Sequence, residues 1–261
     1  MEHLLSAWPD VVARLSSAEN ILLLSDFDGT LAPIVARPEL AYLPEQTKRT
    51  LQQVAERDRY VVGIISGRAM HDLKQRIGLD GVIYAGNCGL EIEGPRLRLV
   101  NPAARERQPL LRDLYRQLDV ELKAIEGVVI ENKDLSLSVH YRLVATADLN
   151  EMRKVFRRLT RRARAQGSIQ VTSGKKVYEI APAIEWHKGK VIDLLLKEYA
   201  KRGKTALPIF LGDDVVDEGG FEAADRHGGI SVFIGDKGHA SIARYFLRSP
   251  DEARQFLEKL P

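Results

Sequence analysis

A short apolar run that ends in two carboxylates constrains this chain more than any other stretch. Residues 21–24 are Ile-Leu-Leu-Leu, and Ser-Asp-Phe-Asp-Gly-Thr-Leu follows directly. An apolar run of this length is typical of a strand buried on both faces, as in parallel sheets. Asp26 and Asp28 are two residues apart, so their side chains leave an extended chain on the same side. Because paired acids at the end of a buried strand repel each other, the pattern predicts a cation between them.

Similar apolar runs recur along the chain, and polar residues follow several of them. Further strands are predicted at 60–65, 82–85, 207–211 and 230–234, with helices at 4–17, 45–57, 187–201 and 215–225. This alternation favours an α/β fold with a doubly wound, Rossmann-like parallel sheet. A last helix is predicted to start at Ser249, where an N-cap serine precedes a proline and two acids.

The pattern changes in the middle of the chain. This part contains predicted helices at 105–123 and 149–165, and predicted strands at 128–131, 135–141, 169–172 and 177–180. Residues 135–141 alternate apolar and polar side chains, which suits an antiparallel sheet with one solvated face. The order of elements predicts an α+β cap domain inserted into the core. The predicted domains are therefore a first core segment at 1–103, a cap at 104–181 and a second core segment at 182–261.

Composition excludes several classes of protein. Of the 261 residues, 44% are hydrophobic and 29% are charged, as in an ordinary globular protein. The single cysteine, Cys88, excludes an internal disulfide framework and suits a reducing cytosol. No apolar stretch is long enough to span a membrane, and the N-terminus lacks the basic region of a signal peptide. We therefore expect a monomeric, cytoplasmic protein.

Two features could hold a phosphate group. Ser66 lies just past a predicted strand, where its hydroxyl and the backbone NH groups of Gly67 and Arg68 could bind phosphate oxygens. Lys188 stands at the start of a predicted helix, where its charge would stabilise a phosphoryl dianion. Pro33 and Pro38 interrupt residues 32–43 and Pro44 follows them, so we expect this stretch to form a loop beside the site.

A third carboxylate completes a predicted metal site. Asp213 follows the apolar run at 207–211, so it should end near Asp26 and Asp28 if the strands are parallel. Mg²⁺ prefers oxygen ligands, which carboxylates, a backbone carbonyl, a phosphate oxygen and water would supply. Asp214 and Asp217 are expected to support the site from outside the ligand shell.

The four motifs DxDGT, SGR, HKGK and GDDxxDE occur in the order found in the haloacid dehalogenase superfamily of phosphatases, which the chain resembles. The resemblance implies that Asp26 is a nucleophile that becomes an aspartyl-phosphate. It also implies that Asp28 is the general acid and base, with its backbone carbonyl on the metal. Mg²⁺ would then be bound by Asp26, Asp28 and Asp213, and Ser66 and Lys188 would hold the phosphoryl oxygens.

The middle of the chain is similar to one family within that superfamily. The segments Glu-Asn-Lys at 131–133, Ser-Val-His-Tyr-Arg at 138–142 and Gly-Lys-Lys-Val-Tyr-Glu at 174–179 resemble cap motifs of trehalose-6-phosphate phosphatases. The resemblance implies Mg²⁺-dependent hydrolysis of trehalose 6-phosphate. The implied substrate-binding residues are Glu131, Lys133 and Glu179 in the cap, and Arg68 and Asn87 in the core. Two positions depart from the family pattern, namely Cys88, where histidine is usual, and Val216, where threonine is usual.

Three alternatives remain open at this stage. Arg142, Lys175 and Lys176 could serve a more anionic substrate, such as sucrose phosphate or a glucosyl- or mannosyl-phosphoglycerate. A phosphosugar-binding module without turnover would keep the same binding residues. The basic helix at 149–165 could bind nucleic acid, but its one aromatic residue, Phe156, lies on the apolar face, so we expect a solvated outer surface and no nucleic-acid partner.

Overall fold

The computed structural model describes residues 1–261 except 36, 96, 175, 201, 202 and 204. The helices are α1 (Trp8–Ser17), α2 (Glu45–Ala55), α3 (Met70–Ile77), α4 (Pro102–Leu122), α5 (Leu149–Ala165), α6 (Lys188–Ala200), α7 (Glu218–Arg226) and α8 (Pro250–Glu258). The strands are β1 (Glu2–His3), β2 (Ile21–Ser25), β3 (Tyr60–Ile65), β4 (Ile83–Gly86), β5 (Glu91–Gly94), β6 (Leu97–Val100), β7 (Val129–Asn132), β8 (Leu137–His140), β9 (Ile169–Gly174), β10 (Val177–Pro182), β11 (Leu207–Gly212), β12 (Ile230–Ile234) and β13 (Tyr245–Leu247). Across the described residues, no helix combines the length and the apolarity needed to cross a bilayer.

The first of two structural units contains Met1–Leu99 and Trp186–Pro261. In the described residues it is built on a nine-stranded sheet with the order β1-β13-β12-β11-β2-β3-β4-β5-β6. In this spatial order, each pair of neighbouring strands from β1 to β4 is parallel, and β5 runs antiparallel to β4. Strand β2 lies in the middle of the sheet, where Leu24 is paired with Phe210 on one side and Gly63 on the other.

Alternate residues of β2 enter two different cores. Ile21 and Leu23 pack with side chains from α1, α2, α3 and α8, whereas Leu22 and Leu24 pack with side chains from α6 and α7. All four are at most 1% exposed, and burying each one contributes about 1.5–3 kcal/mol. Apolar side chains suit a strand with both faces covered, which explains the apolar run at residues 21–24. The predicted doubly wound α/β core is confirmed.

The second unit, Val100–Glu185, has its own sheet and its own core. In the part that the structure describes, this sheet has four antiparallel strands in the order β7-β8-β10-β9. Leu137, Val139 and Ile180 pack with apolar residues of α4 and α5. Phe156 of the basic helix α5 stacks on Tyr178 with ring centroids 4.4 Å apart. This aromatic ring is therefore part of the core, and the exposed face of α5 is the arginine-rich one.

Short elements account for most differences from the predicted secondary structure. Helix α1 begins at Trp8 rather than at residue 4, because Pro9 suits the first turn of a helix. The predicted helix at 215–225 is a 3₁₀ turn at Val215–Asp217 followed by α7. The sequence pattern does not predict α3 or β13, and the last residue of the predicted helix at 187–201 lies outside the described residues. The helix start at Ser249 is confirmed, since its side chain accepts a hydrogen bond from the backbone NH of Glu252.

Gly189, in the first turn of α6, lies against the backbone of the neighbouring helix α7. A Cβ atom added to Gly189 would overlap the carbonyl oxygen of Gly219. A Cβ added to Gly219 would in turn overlap the ring of His187. The two helices therefore meet at backbone distance, and this contact fixes the start of α6, from which Lys188 projects.

We expect the Gly189→Ala substitution to lower the free energy of unfolding by about 1–3 kcal/mol, because the added methyl group displaces a backbone that has little room to move. Urea unfolding of the two proteins measures the difference. Gly238→Ala is the control, since a methyl group there meets nothing within 4 Å. Equal stability of the two variants would contradict this packing argument.

Candidate active site

The candidate site lies along the edge of the first unit's sheet where four adjacent parallel strands end. Strands β11, β2, β3 and β4 are neighbours and parallel. Asp26, Ser66 and Asp213 directly follow β2, β3 and β11, and Asn87 directly follows β4. Residues that are far apart in the sequence are therefore brought to one edge.

A buried lysine joins two carboxylates at the centre of this edge. The amine of Lys188 lies 3.0 Å from Asp26 Oδ1 and 2.6 Å from Asp217 Oδ1. Lys188 is 2% exposed and Asp217 is completely buried. Asp26 Oδ1 also accepts a hydrogen bond from the backbone NH of Phe27 at 2.7 Å. The sequence predicted Asp217 only as a supporting acid, and its ion pair with Lys188 could not be read from either motif.

Two glycines let the acids approach one another. Gly29 has a φ of +86°, and a Cβ atom there would overlap the carboxylate of Asp213. Thr30 donates a hydrogen bond from Oγ1 to Asp213 Oδ1 at 3.0 Å. A Cβ atom on Gly212 would overlap the carboxyl group of Asp217. The glycines of the DxDGT and GDDxxDE motifs thus make room for carboxylates, in addition to allowing the chain to turn.

Asp217 also holds the loop that carries Asp213. Its Oδ2 accepts hydrogen bonds from the backbone NH groups of Asp213 at 3.0 Å and Asp214 at 3.1 Å. Asp214 is exposed, and its carboxylate accepts a hydrogen bond from the backbone NH of Val215 at 2.6 Å. The structure therefore brings Asp217 into the acid cluster, whereas Asp214 caps the following turn.

Burial sets the protonation of these groups. It raises the pKa of Asp26 to about 8, an effect that Lys188 opposes and that Asp217 and Asp213 reinforce. Burial likewise raises the pKa of Asp213 to about 7, and the charge on Asp217 adds to it. Burial disfavours the charge on Lys188, but Asp26 and Asp217 outweigh it and raise the pKa of the amine. Near neutral pH, Asp26 and Asp213 are therefore partly protonated when no cation is bound.

A divalent cation fits this cluster by charge and by ligand type. Asp26, Asp213 and Asp217 each offer an oxygen, and these atoms all lie within 4.8 Å of one another. Three ionised carboxylates beside one ammonium leave two uncompensated negative charges, which are costly in a buried place. Carboxylate oxygens are ligands that suit Mg²⁺. The donor set thus accommodates the predicted ion.

The Asp28 side chain lies outside this acid cluster. Its two oxygens accept hydrogen bonds from Nε and Nη2 of Arg68, both at 2.7 Å. The resemblance assigned only the backbone carbonyl of Asp28 to the metal, and that assignment stays a prediction. The guanidinium group predicted to bind substrate is thus held by the predicted general acid and base.

Hydrogen bonds between backbone groups join the turns after β3 and β4. Ser66 accepts from the NH of Cys88 at 2.8 Å, and the carbonyl of Arg68 accepts from the NH of Asn87 at 2.8 Å. The hydroxyl of Ser66 accepts from the NH of Arg68 at 3.3 Å, and Gly67 lies between them. The predicted phosphate-binding groups therefore lie in one turn, which hydrogen bonds to the turn after β4 hold in place.

The second of these turns is conformationally unusual. Asn87, Cys88 and Gly89 all have positive φ values, of 51°, 56° and 88°. The side-chain amide of Asn87 donates to Glu91 Oε1 at 2.8 Å. Non-glycine residues at positive φ are strained, and such strain is commonly found at functional sites.

The second unit carries a polar cluster on one face of its sheet. Glu131 pairs with Ser138 across β7 and β8, and Ser138 pairs with Glu179 across β8 and β10, so all three side chains share that face. Ser138 donates from Oγ to Glu179 Oε2 at 2.7 Å. The buried amine of Lys133 lies 3.4 Å from Glu179 and 3.9 Å from Glu131. The three predicted cap residues are therefore brought together, while Lys175 lies outside the described residues.

A family model described as trehalose-phosphatase matches residues 24–251, a range that contains every predicted site residue. The chain belongs to the trehalose-phosphatase family. Members of this family are phosphoric monoester hydrolases, so the enzyme class predicted from the four motifs is confirmed.

Trehalose-phosphatase relatives align over nearly the whole chain. A probable trehalose-phosphate phosphatase of Oryza sativa subsp. japonica is 32% identical over 263 residues, which is 98% of this chain and 70% of that protein. A trehalose-phosphate phosphatase of Mycobacterium bovis is 34% identical over 266 residues, which is 98% of this chain and 66% of that protein. The C-terminal domain of the Candida albicans trehalose-6-phosphate phosphatase has the same fold, with a TM-score of 0.77 at 23% identity over 97% of this chain and 96% of that one.

Mg²⁺ binding should release protons and tighten as the pH rises. Burial raises the pKa of Asp26 to about 8 and that of Asp213 to about 7, and both carboxyl groups must be deprotonated to act as ligands. We expect the affinity for Mg²⁺ to rise from about pH 6 to about pH 8.5 and then to level off. Isothermal titration calorimetry in buffers of different ionisation enthalpy counts the protons released.

Two variants control this measurement. Asp213→Asn removes one ligand and one titrating group, so it should weaken binding and reduce proton release. Asp251→Asn changes an exposed acid of α8 and should leave both values unchanged. An affinity independent of pH, with no proton release, would contradict the assignment of these acids to the cation.

Proposed function

We propose that this protein is a Mg²⁺-dependent phosphatase that hydrolyses trehalose 6-phosphate to trehalose and phosphate through an aspartyl-phosphate on Asp26. The observation that carries the proposal is the environment of Asp26. This carboxylate lies at the end of a central strand, is 8% exposed, and contacts the buried ammonium group of Lys188. Membership of the trehalose-phosphatase family supports the choice of substrate.

Asp26 is proposed as the nucleophile. Among the described residues, the Asp26 carboxylate accepts its hydrogen bond and forms its ion pair through Oδ1, so Oδ2 is the oxygen that we assign to the attack. A bond forms between Asp26 and phosphorus while the bond from phosphorus to the sugar oxygen breaks. The ammonium group of Lys188 offsets the negative charge on the phosphoryl group, and Ser66 with the backbone NH groups of Gly67 and Arg68 binds its oxygens.

Asp28 is proposed to move the protons of both half-reactions. Its carboxylic acid gives a proton to the departing sugar oxygen in the first step. In the second step the resulting carboxylate takes a proton from water, the water oxygen bonds to phosphorus, and the bond from phosphorus to Asp26 breaks. Mg²⁺, held by Asp26, Asp213 and the backbone carbonyl of Asp28, would supply positive charge that favours attack on the phosphoryl group.

The polar cluster of the second unit supports a sugar-binding role for a cap domain. Glu131 and Glu179 offer acceptors and Lys133 offers donors, and each is orientated by a neighbour in the cluster. A disaccharide presents many hydroxyl groups and no charge beyond its phosphate, so paired donors and acceptors are what its recognition requires. We further propose that Arg68 and Asn87 contribute to the sugar site from the core, and that residues 104–181 form the cap.

A cytoplasmic monomer with no nucleic-acid partner remains the proposed context. The single cysteine suits a reducing compartment. The basic helix α5 buries its only aromatic ring against Tyr178. The helix therefore offers no aromatic ring on which the bases of a single-stranded nucleic acid could stack. An exposed glutamate, Glu121, also pairs with Arg158 on that helix.

The function is tested by measuring phosphate release from a panel of sugar phosphates and 4-nitrophenyl phosphate with Mg²⁺. The wild type should prefer trehalose 6-phosphate. Glu179→Ala should reduce that turnover by the equivalent of about 1–3 kcal/mol, because a hydrogen bond to a buried hydroxyl is lost, and should spare the aryl phosphate. Glu151→Ala, an exposed acid of α5, is the matched control. A preference for sucrose phosphate or a glycosyl-phosphoglycerate, or a single burst of phosphate without turnover, would contradict the proposal.

Substitutions of the two DxDGT acids should have different consequences. Asp26→Asn should abolish both turnover and the covalent intermediate, because no anionic oxygen is left to bond to phosphorus. Asp28→Asn should slow the first turnover of the sugar phosphate by about 10²–10⁴-fold. Its defect should shrink with 4-nitrophenyl phosphate, whose leaving group needs no proton, and phosphorylated enzyme should then accumulate.

Rapid-quench trapping of labelled protein checks these expectations. Label retained on Asp26→Asn would exclude Asp26 as the nucleophile. An Asp28→Asn defect of equal size for both substrates in the first turnover would exclude proton transfer by Asp28.

A further inference from the structure

We propose that Asp72 and Arg76, on helix α3, are positioning residues that hold Arg68 on Asp28 and tie this pair to the loop between β2 and α2. The inference rests on the proposed function of Asp28 as general acid and base. Neither residue belongs to the four motifs, and among the described residues neither is paired with Asp26, Asp213 or Asp217.

Arg68 binds Asp28 through two parallel hydrogen bonds. Nε and Nη2 of the guanidinium donate to Oδ2 and Oδ1 of the carboxylate, both at 2.7 Å. A bidentate pair of this kind fixes the plane of the carboxylate as well as its position. The guanidinium carbon also lies 5.5 Å from the ring centroid of the buried Phe27. The orientation of the Asp28 carboxylate is therefore set by where Arg68 is held.

Asp72 holds the remaining nitrogen of that guanidinium. Nη1 of Arg68 donates to Asp72 Oδ2 at 2.7 Å. Asp72 is itself bound by Arg76, whose Nε donates to Oδ2 at 2.8 Å and whose Nη2 lies 2.7 Å from Oδ1. Burial would raise the pKa of Asp72, but hydrogen bonds from Arg76 and Arg68 outweigh it and lower that pKa, so the carboxylate stays ionised between its two partners.

Arg76 continues the chain of contacts into the loop after the DxDGT motif. Its Nη1 donates to the backbone carbonyls of Glu39 and Ala41, both at 2.9 Å. Ala41 is buried, whereas Ile34, Leu40 and Tyr42 in the same loop are exposed. The loop is thus linked to Asp28 through three charged side chains.

The spacing of these residues explains how the chain of contacts is built. Arg68, Asp72 and Arg76 are four residues apart, so Asp72 and Arg76 lie on one face of α3 and Arg68 lies just before the helix starts. Leu73 and Ile77, on a neighbouring face of α3, are buried in the core of the first unit. A short helix that is fixed by its apolar side therefore carries the ion pairs from the loop to the site.

This arrangement matters because proton transfer depends on placement. A general acid contributes fully only within hydrogen-bonding distance of the atom that it protonates, and a misplacement of about 1 Å costs up to about 10²-fold in rate. Arginine is a long side chain with many rotamers, so the bond to Asp72 selects the one that meets Asp28. Without Asp72, the guanidinium keeps its contact to Asp28 but loses the partner that fixes its direction.

The leaving group distinguishes this role from a purely structural one. In rapid-quench first turnovers, Asp72→Asn should slow cleavage of trehalose 6-phosphate by about tenfold or more, and cleavage of 4-nitrophenyl phosphate by less than about twofold. Asp72→Glu keeps the charge and should recover part of the rate on the sugar phosphate. Lys74→Met is the matched control, because Lys74 lies on the same helix and pairs with Glu93, away from Asp28; it should leave the ratio of the two rates unchanged.

Arg76→Met tests the chain of contacts from its other end. It leaves the bond between Asp72 and Arg68 in place. The rate on trehalose 6-phosphate divided by the rate on 4-nitrophenyl phosphate should therefore fall by a smaller factor than in Asp72→Asn. Equal losses on both substrates, or a ratio like that of the wild type in a folded Asp72→Asn protein, would overturn the inference.

The positioning role of Asp72 and Arg76 can be tested even if trehalose 6-phosphate is not the substrate. If the wild type does not release phosphate from trehalose 6-phosphate, the ratio is measured with the alkyl sugar phosphate that it cleaves fastest. An unchanged ratio would then overturn the positioning role alone.

Discussion

The contact of the buried Lys188 ammonium group with two carboxylates is the interaction on which the candidate site depends. It joins Asp26 at the end of β2 to Asp217 in the turn before α7, and it projects from the first residue of α6. Removing one member of such a buried group leaves an uncompensated charge, which typically costs about 3–5 kcal/mol. Three elements that are distant in sequence are therefore held together by the group that we propose also offsets the charge of the phosphoryl group. The close approach of Gly189 to Gly219 belongs to the same arrangement, because it fixes the helix that carries the lysine.

The excess of negative charge around this lysine favours a cation at the site. A third acid, Asp213, is forced close by Gly29 and held by Thr30. In the absence of a cation, burial raises the pKa values of Asp26 and Asp213, so these acids hold protons that an aspartic acid in water would lose. The same repulsion that destabilises the empty cluster therefore favours a divalent ion, so binding and deprotonation are parts of one equilibrium.

The sequence predicts those features that arise from local patterns. The buried strand β2 is recognisable because both of its faces are covered and no polar residue interrupts it. The basic helix α5 is recognisable from the spacing of its apolar side chains, and the start of α8 from Ser249 and the residues after it. Asp26, Ser66, Lys188 and Asp213 could be assigned to one edge because each lies at a predicted strand end or helix start.

Other features depend on pairings that no local pattern contains. The partner of Arg68 proved to be Asp28, 40 residues earlier, and the partner of Lys188 included Asp217, 29 residues later. Helix α3 has eight residues, and Ala69 at its start provides no side-chain cap, so the usual helix-start signal is missing. Strand β13 has three residues and is specified mainly by its neighbours β12 and β1.

The pairing of β2 with β11 has a consequence for how the chain folds. These two strands lie side by side in the middle of the sheet, with Leu22 opposite Pro208, yet the whole of the second unit separates them in sequence. The central sheet therefore cannot close during synthesis until β11 has left the ribosome, whereas the continuous second unit can fold before that. Long-range strand pairing of this kind slows folding and leaves apolar strand surfaces exposed meanwhile. The protein is thus most exposed to aggregation during synthesis, after β2 to β6 have left the ribosome and before β11 has done so.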